Sequence, residues 1–479
     1  MKKVKILALI VALAMLASCA GNGGGAAPAA PPAGGDAPPA QVAAEPLPEA
    51  DLDAAKTSWT IAIAGINLDD GMNATTEMEA EGFNTLAETL LTDRFPGHSF
   101  EFIAVPWDGA AARIHTLLAT GGADLITQGG AFIPQLHAEG LIQSLTPFID
   151  RDEAAGAWRY GDVFFENLRY HPHTNSFDRT QTLTLPWQIG YRVIVQDSLL
   201  FEQWGVPLLP EYPTPQQLLE AARQMTGINP VTGEQNYGVW IAGNSLNMSF
   251  LEAAADHFGD LGVSGNFGDP ANLEWSLNSP GFVSALQWAV DIARYAPAAA
   301  AVGQGFERIG HEDGDVAIMI DRNGGVMVGN YLRTGDYSMI ERYIPVMHIG
   351  QNGGNWTPVD GMAMNAQLTD ADADMAWEIL KFMTGPEVKT WFFTNWGPFA
   401  LGNRVIEDIV TPRDHFMQMN NRIVAQANIP GFEMNPFYGV SMQPVFAELI
   451  SRSIAGEEVD VQAAMDDLQN QAVIWSAMQ

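Results

Sequence analysis

Residues 58–127 alternate three strand-like apolar runs with two helix-like segments. The runs SWTIAIAG, SFEFIAV and ADLIT predict strands, and FNTLAETLLTDRFPG and DGAAARIHTLLATGG carry apolar residues at helical spacing. This β-α-β-α-β order predicts a parallel sheet covered by helices, because parallel strands need a crossover connection that is usually a helix. Ligands of open α/β sheets bind beyond the carboxyl ends of the strands. The loops after these strands are therefore the expected place for a site.

Several later segments have the start and stop signals of helices. In PTPQQLLEAARQMTG, Thr214 followed by Pro215 and Gln217 predicts a capping box at the helix N-terminus. SPGFVSALQWAVDIARY begins with Ser-Pro in the same way, and DADADMAWEILKFMTGP carries an apolar stripe that ends at Gly-Pro. Trp288 and Trp377 lie on these apolar faces, so we assign them to the core. GDVAIMI and PVDGMAMN are predicted strands, and the length of 479 residues suggests two or three domains.

The first residues have the pattern of a secretory leader. Lys2, Lys3 and Lys5 precede the apolar run ILALIVALAMLA, which is shorter than the ~20 residues that a membrane-spanning helix needs. The run leads into Leu-Ala-Ser-Cys, which resembles the bacterial lipobox, where the cysteine becomes the acylated first residue of the mature chain. The sequence therefore predicts a lipoprotein that carries acyl chains such as palmitate at Cys19, its single cysteine. An ordinary signal peptide with an incidental cysteine is the alternative.

The segment after Cys19 predicts a disordered tether. Residues 20–49 are mainly Gly, Ala and Pro and lack almost all the large apolar side chains that a core requires. A tether directly after an acylated cysteine gives a folded domain reach and rotational freedom above a membrane, so the two predictions support each other.

Composition argues against several functions. The chain has 23 Lys+Arg against 56 Asp+Glu, and its net charge of −33 argues against nucleic acid and against an anionic membrane surface as partners. With no cysteine after Cys19, neither a disulfide nor a Cys-ligated metal is expected. HPH at 171–173 and HEDGD at 311–315 lack zinc-site and EF-hand spacing, so no metal and no cofactor is expected.

Four stretches resemble, in order, segments of the extracellular solute-binding proteins of bacterial ABC importers, in their sugar-binding, maltose-binding-protein-like group. They are LLATGGADLITQGGAFIPQLHAEGLIQSLTPFID, TLTLPWQIGYRVIVQDSLLFEQWGVPLLPEYPTPQQLLEAARQMT, HEDGDVAIMIDRNGG and PVDGMAMNAQLTDADADMAWEILKFMTGPEV. The resemblance implies an α/β, two-lobed periplasmic-binding-protein-like fold of type II, each lobe a mainly parallel sheet flanked by helices, with a hinged cleft for a solute. It also implies a non-enzymatic monomer, on the extracytoplasmic side (cell surface or periplasm), that serves the permease subunits of an ABC importer.

The resemblance also implies where the chain passes between lobes. The crossings are expected near residues 184–187, within 344–358 and near 395–402. The expected organisation is 1–18 leader, 19–56 lipidated cysteine and tether, 57–184 first part of lobe 1, 185–345 first part of lobe 2, 346–396 hinge return and second part of lobe 1, and 397–479 second part of lobe 2.

A sugar site needs aromatic plates for the apolar face of a ring and polar groups for its rim of hydroxyls. The chain has 13 Trp, and several follow predicted strands or stand at the expected crossings. For Trp107 a packed loop is the alternative, and for Trp187 hinge packing is the alternative. The residues predicted to contact a ligand are Trp107, Gln128, Phe132, Trp187, Trp240, Asn244, Asp321, Arg322, Asn323, Trp356, Asp360 and Tyr438.

Three hypotheses for function follow. The first is a lipid-anchored receptor that captures a carbohydrate, with an oligosaccharide as the expected ligand. The second is a surface glycoside hydrolase or lyase, which needs two carboxylates at one bond; 56 acidic residues neither exclude nor locate such a pair. The third keeps the receptor and changes the ligand to a peptide, a polyamine or an anion.

Overall fold

The computed structural model describes residues 52–73, 78–107, 109–129, 132–189, 193–241, 248–304, 313–322, 334–350, 359–396, 402–409, 413–426 and 437–479. These residues form two compact units. The N-terminal unit contains the described residues of 52–189 and 359–409, and the C-terminal unit contains those of 193–350 and 413–479.

The N-terminal unit is built on a five-stranded sheet in the order β4-β1-β5-β14-β6. Strands are numbered along the whole chain, and those of this sheet are β1 Ser58–Ala64, β4 Ser99–Val105, β5 Leu125–Gly129, β6 Leu185–Ile189 and β14 Val359–Met364. β1 pairs in parallel with β4 and β5, whereas β14 pairs antiparallel with β5 and β6, so β14 alone runs against the other four strands. A separate hairpin joins β2 Gly71–Asn73 to β3 Met78–Ala80.

Helices cover the N-terminal sheet, as the alternating order of strands and helices predicts. In Ala110–Ala119, Ile114 and Leu118 pack on Ala62 of β1 and Ile126 of β5 to form a buried cluster. The predicted helix after β1 is a continuous helical stretch with a π turn in its middle. The helical segments are Leu52–Ala54 (3₁₀), Phe83–Leu86, Ala87–Leu91 (π), Thr92–Arg94, Ala110–Ala119, Phe132–Ala138, Thr146–Ala155, Tyr160–Val163, Glu166–Tyr170 (3₁₀), Asp370–Met383, Pro386–Trp396 and Ile406–Ile409.

The C-terminal unit has its own five-stranded sheet, in the order β13-β7-β12-β9-β8. Its strands are β7 Val193–Asp197, β8 Gly227–Ile228, β9 Gln235–Trp240, β12 Val316–Arg322 and β13 Tyr343–Val346, with a separate ribbon of β10 Val263–Ser264 and β11 Glu274–Trp275. β9 and β12 are parallel, and the pairs β12–β7, β13–β7 and β8–β9 are antiparallel.

The helices of the C-terminal unit begin where their capping residues predict. The Thr214 hydroxyl accepts from Gln217 N–H (3.2 Å) and the Gln217 amide oxygen accepts from Thr214 N–H (2.9 Å), which completes the capping box. The Ser279 hydroxyl accepts from Phe282 N–H (3.2 Å). The helical segments are Ser198–Trp204, Pro215–Gln224, Met248–His257, Pro270–Asn272 (3₁₀), Pro280–Ala293, Ala298–Val302 (3₁₀), Ser338–Arg342, His415–Gln426, Tyr438–Met442 (π), Gln443–Ile454 and Val461–Ser476.

The predicted α/β, two-lobed fold class is confirmed, with two differences in detail. The C-terminal sheet is more mixed than expected, because β7 and β8 run against β9 and β12. The three expected lobe boundaries also come too early. Residues 185–189 form β6, which completes the N-terminal sheet by pairing with β14. Residues 346–350 belong to the C-terminal unit and 402–409 to the N-terminal unit. Trp288 and Trp377 are buried, as predicted. Within the part of the chain that the structure describes, no helix is both long and apolar enough to cross a membrane.

Candidate functional site

Five strand ends meet at one edge of the N-terminal sheet. β1, β4, β5 and β6 end there and β14 begins there, because β14 alone is antiparallel to its neighbours. The pairing brings Asp360, the second residue of β14, opposite both Gly129 of β5 and Gln188 of β6. We call this set of strand ends, with Trp107 and Gly65, the carboxyl edge. It is the position at which open α/β sheets hold ligands.

Trp107 forms an exposed aromatic plate on the carboxyl edge. It follows β4 and is 51 % exposed, the behaviour of a ring that is not part of the core. Gly65, at the end of β1, has a φ of +71°, and a Cβ at this position would collide with the indole Nε1 and Cε2 of Trp107. The Gly65 N–H donates to the Val105 carbonyl (2.9 Å), which ties the two strand ends together. The glycine therefore lets the indole lie directly against backbone while much of its surface stays open.

The carboxyl edge also holds a polar pair, Gln188 of β6 and Asp360 of β14. The Gln188 side-chain N–H donates to Oδ2 of Asp360 (2.6 Å), and both residues are half-buried. Oδ1 of Asp360 sits so close to Gly129 that a Cβ there would collide with it. Carboxylate oxygens accept hydrogen bonds from hydroxyl groups, so Asp360 has the acceptor chemistry that a sugar hydroxyl requires.

Two other predicted site residues lie on the same part of the N-terminal unit. Gln128 is in β5, next to Gly129, and is 4 % exposed. Phe132 begins the helix Phe132–Ala138 that follows β5 and is half-buried. The fold thus places Trp107 and Phe132 just beyond strand ends and Asp360 at the start of β14, whereas Gln128, which was expected in the loop after the third strand, lies within β5.

A buried histidine supports the start of β14. His173 is 1 % exposed, and its Nδ1 accepts from the N–H of Val359 (3.3 Å), the residue before Asp360. Burial lowers the pKa of His173 to about 3, because the imidazolium form loses its hydration. The imidazole is therefore neutral near pH 7 and acts as a fixed acceptor behind the carboxyl edge.

Three predicted contact residues are packed in the interior of their units. Trp187, in β6, is 1 % exposed, and its ring lies 5.0 Å from Phe392 between centroids. Trp240 is fully buried, and its indole N–H donates to the Gln304 carbonyl (3.1 Å). Tyr438 is 3 % exposed. These surroundings support packing roles, and for Trp187 they favour the alternative that its position already raised.

In the C-terminal unit, three predicted residues lie at the ends of the parallel neighbouring strands β9 and β12. Trp240 at the end of β9 lies opposite Met319 of β12. Asp321 and Arg322 were expected in the loop after a strand, but β12 continues through Arg322, which pairs with Val193 across a register shift. Asn244, Asn323, Trp356 and Cys19 lie outside the described residues.

Two surface hollows contain none of the predicted contact residues. One, of about 760 Å³, lies on the C-terminal unit and is lined by Phe258, Trp288 and Asp460 among others. The other, of about 440 Å³, lies on the N-terminal unit between Glu153 and Arg169. Volume alone therefore does not identify the site, and the strand ends with their exposed aromatic group are better supported by the chemistry.

Sequence reasoning missed three residues of the carboxyl edge or its support. Gly65 directly follows a predicted strand, a signal for close backbone approach. Gln188 directly follows Trp187, which the sequence analysis did name as a contact, so its position near the end of the same strand could have been recognised. Lys389, described below, has no local signal, because its contacts come from a segment about two hundred residues earlier in the chain.

A family model described as "Bacterial extracellular solute-binding protein" matches residues 74–390. The fold is similar to an ABC transporter solute-binding protein from Agrobacterium radiobacter K84 in complex with ribitol (TM-score 0.64, 18 % identity, 88 % of this chain and 99 % of that chain). It is also similar to one from Thermotoga lettingae TMO bound with α-D-tagatose (0.63, 17 %, 88 % and 100 %). A third similar structure is the maltose-bound T. maritima MalE3 (0.63, 14 %, 87 % and 99 %). No curated protein matches the chain.

Proposed function

Because the chain belongs to the bacterial extracellular solute-binding proteins, we propose that it captures a carbohydrate and delivers it to the permease subunits of an ABC importer. The observation that carries the proposal is the carboxyl edge, because the exposed Trp107 lies at the same edge of the sheet as the Gln188–Asp360 pair. A sugar ring has an apolar face that stacks on an indole and a rim of hydroxyls that donate to carboxylate and amide oxygens. An oligosaccharide is the ligand we expect.

The ligands in the similar structures support this chemistry. Ribitol, tagatose and maltose are all rich in hydroxyl groups, although each belongs to a protein that is under 20 % identical to this chain. A peptide or a polyamine would use the carboxylate but would have less use for an open indole plate. We therefore place these solutes second.

The residues proposed to contact a sugar are given for each unit separately. In the N-terminal unit they are Trp107, Gln128, Phe132 and Asp360, to which the structure leads us to add Gln188. In the C-terminal unit they are Asn244, Asp321, Arg322, Asn323 and Trp356, which remain proposals from the sequence. Trp187, Trp240 and Tyr438 are proposed to act through packing.

We propose that the protein binds its ligand without changing it. The family consists of binding proteins, and the candidate site needs no catalytic group to account for its features. A glycoside hydrolase would need a second carboxylate facing one bond, at ~5–10 Å from the first. Turnover of a chromogenic glycoside by the purified protein would contradict this part of the proposal.

The family places the protein outside the cytoplasm, and the anchor is our proposal. Residues 1–18 would be removed as a leader, Cys19 would carry the acyl chains, and residues 19–56 would tether a monomeric binding domain to the membrane. Cys19→Ser should move the protein from the membrane fraction to the soluble fraction. Continued membrane association of this variant would remove the lipoprotein hypothesis.

A titration tests the proposed ligand class. Purified protein is titrated with maltose, ribitol and tagatose while tryptophan fluorescence and heat of binding are measured. We expect saturable binding of at least one, with the sugar recovered unchanged. Trp107→Ala should abolish most of the affinity. The matched control is Trp204→Ala, since Trp204 is a half-buried tryptophan of the C-terminal unit whose indole N–H donates to Asn236 (3.0 Å).

A further inference from the structure

Lys389 is a buried lysine on the helix Pro386–Trp396. It is 0 % exposed, and no carboxylate among the described residues forms an ion pair with it. The two other described lysines, Lys56 and Lys381, both pair with aspartates. Removing an amine from water is costly unless other groups replace the hydration. Burial also holds the pKa of Lys389 well below its ordinary value. The contacts around Lys389 must therefore compensate for the burial of its amine.

The contacts of Lys389 are concentrated on one residue of β6. Its Nζ donates to the main-chain carbonyl of Trp187 and lies 3.3 Å from the centroid of the same indole ring. The centroid of the Phe392 ring, which packs on Trp187, lies 5.3 Å from Nζ. The amine therefore binds both the backbone and the side chain of Trp187, and aromatic faces replace part of the water that it loses.

Trp187 is the extra residue of a bulge. Asp360 of β14 faces Gln188 of β6, and the register then shifts. The next residue of β14, Gly361, faces Pro186, so Trp187 has no opposite residue on β14. β6 is also the last strand of its sheet. The extra residue of a bulge is left out of the ladder, so its carbonyl needs a donor from elsewhere, and the buried lysine supplies it.

The residue after the bulge belongs to the carboxyl edge. Gln188 donates to Asp360 over 2.6 Å, and a bulge changes the direction in which the following side chain points. We propose that Lys389 is a positioning residue for the binding site: by holding the Trp187 carbonyl it fixes the bulge that directs Gln188 toward Asp360. The part of this inference that concerns affinity rests on the proposed function, since it takes the Gln188–Asp360 pair as part of the sugar site.

The first test needs no ligand. Lys389→Met keeps an unbranched chain of similar length and removes the donor. Lys381→Met is the matched control, because Lys381 lies on the preceding helix and pairs with Asp152, away from β6. Amide hydrogen exchange is followed by mass spectrometry in peptides that cover 185–189 and 359–361. We expect at least a tenfold faster exchange in both peptides for Lys389→Met and unchanged exchange there for Lys381→Met.

The second test separates positioning from general stability. Binding of maltose and ribitol is measured for wild type, Lys389→Met, Gln188→Leu and the double variant, under conditions where each protein is folded. Loss of one well-formed hydrogen bond to the ligand site corresponds to about a tenfold loss of affinity. If Lys389 acts through Gln188, each single variant loses about tenfold and the double variant loses no more than Gln188→Leu alone.

A further variant keeps the proposal testable if Lys389→Met does not fold. Lys389→Gln retains an N–H donor for the Trp187 carbonyl without a group that can carry charge. Lys389→Gln should keep more sugar affinity than Lys389→Met. If Lys389→Met does not fold, Lys389→Gln replaces it in the comparison with Gln188→Leu and the double variant. A purely structural lysine would not show this recovery of affinity by a neutral donor.

The outcomes separate this inference from the proposed function. Unchanged exchange at 185–189 and 359–361 in Lys389→Met would overturn the inference, whatever the ligand. Wild-type affinity in that variant, or full additivity in the double variant, would overturn it as well. If wild type binds neither maltose nor ribitol, the choice of carbohydrate fails, and the exchange experiment alone decides whether Lys389 fixes the bulge.

Discussion

Trp107 follows β4 and Trp187 lies within β6, two strands that end at the same edge of the N-terminal sheet, and the two rings have opposite surroundings. Trp107 follows β4, rests against Gly65 and is 51 % exposed. Trp187 is part of β6, lies under Lys389 and is 1 % exposed. The strand end does not decide which tryptophan meets a ligand. The exposure of each ring depends on what packs against it. Gly65 leaves the indole of Trp107 open, whereas the helix Pro386–Trp396, from a distant part of the chain, covers the indole of Trp187.

The largest expected effect is on stability and comes from the buried Trp187. Trp187→Ala removes a fully buried indole, and such truncations cost about 3–5 kcal/mol of the free energy of unfolding. Urea denaturation followed by circular dichroism measures the change. Trp204→Ala, at a half-buried tryptophan of the other unit, should cost less. A cost below about 1 kcal/mol for Trp187→Ala would mean that its packing does not support the unit.

The exposed member should show the reverse pattern. Trp107→Ala should reduce sugar affinity by about 2 kcal/mol, roughly 30-fold, because we propose that the ring is a central aromatic anchor for the sugar. Its melting temperature should change little, since about half of the side chain is already in water. Isothermal titration with the sugar bound by wild type measures the affinity. Unchanged affinity together with a large loss of stability would move Trp107 to the core.

Lowering the pH should reduce the stability of the folded protein through the buried His173. The pKa of His173 is lowered to about 3 in the folded protein, against a usual value near 6.5 for an unfolded chain. The unfolded state therefore binds more protons than the folded state between these values, and stability falls as pH falls from about 6.5 toward 3. The expected loss is about 1.4 kcal/mol per pH unit, or about 2 kcal/mol at pH 5.

The pH effect is measured by urea denaturation between pH 4 and 8. His173→Asn offers a side-chain acceptor to Val359 N–H without a titratable ring, so its stability should depend less on pH across this range. His115→Asn is the matched control, because His115 is half-exposed on a helix surface and pairs with Glu139. Equal pH dependence in wild type and His173→Asn would contradict the assignment.

The smallest expected effect tests the glycine under the plate. Gly65→Ala places a Cβ at a φ of +71°, which costs about 1 kcal/mol, and it also pushes against the Trp107 ring. Gly140→Ala is the matched control, with a φ of +73° and open space around the added Cβ. Both variants should lose similar stability, and only Gly65→Ala should lose sugar affinity. Equal affinity in the two would show that the plate does not depend on Gly65.

Local signals in the sequence predicted much of the fold. Thr214 and Gln217 form the capping box that their spacing indicates, and Trp288 and Trp377 are buried on the faces that helical periodicity gives them. The strands of the N-terminal sheet follow their apolar runs closely. These features depend on neighbours within a few residues, and such contacts can be identified from a single sequence.

The site was predicted less completely, because its details depend on contacts between distant parts of the chain. Trp187 was selected as a contact, and its burial follows from Lys389 and Phe392, about two hundred residues later. The role of Gln188 depends on the register between β6 and β14 and on the bulge at its neighbour. Neither the register nor the bulge can be identified from this sequence alone. The sequence therefore indicated that candidate residues lie at strand ends, and it did not indicate which side chains contact one another there.

The first strand of the N-terminal unit, β1, is an inner strand that pairs with a neighbour on each side. Lys56 pairs with Asp124, and its main-chain N–H donates to Asp372 (2.7 Å), just before β1 begins. β1 then pairs along its full length with β4 and in its middle with β5. A pulling force applied ahead of residue 52 would run along the strand and load these hydrogen bonds in shear, all at once. It would enter at Ser58, at the end of β1 opposite Gly65 and the proposed sugar site.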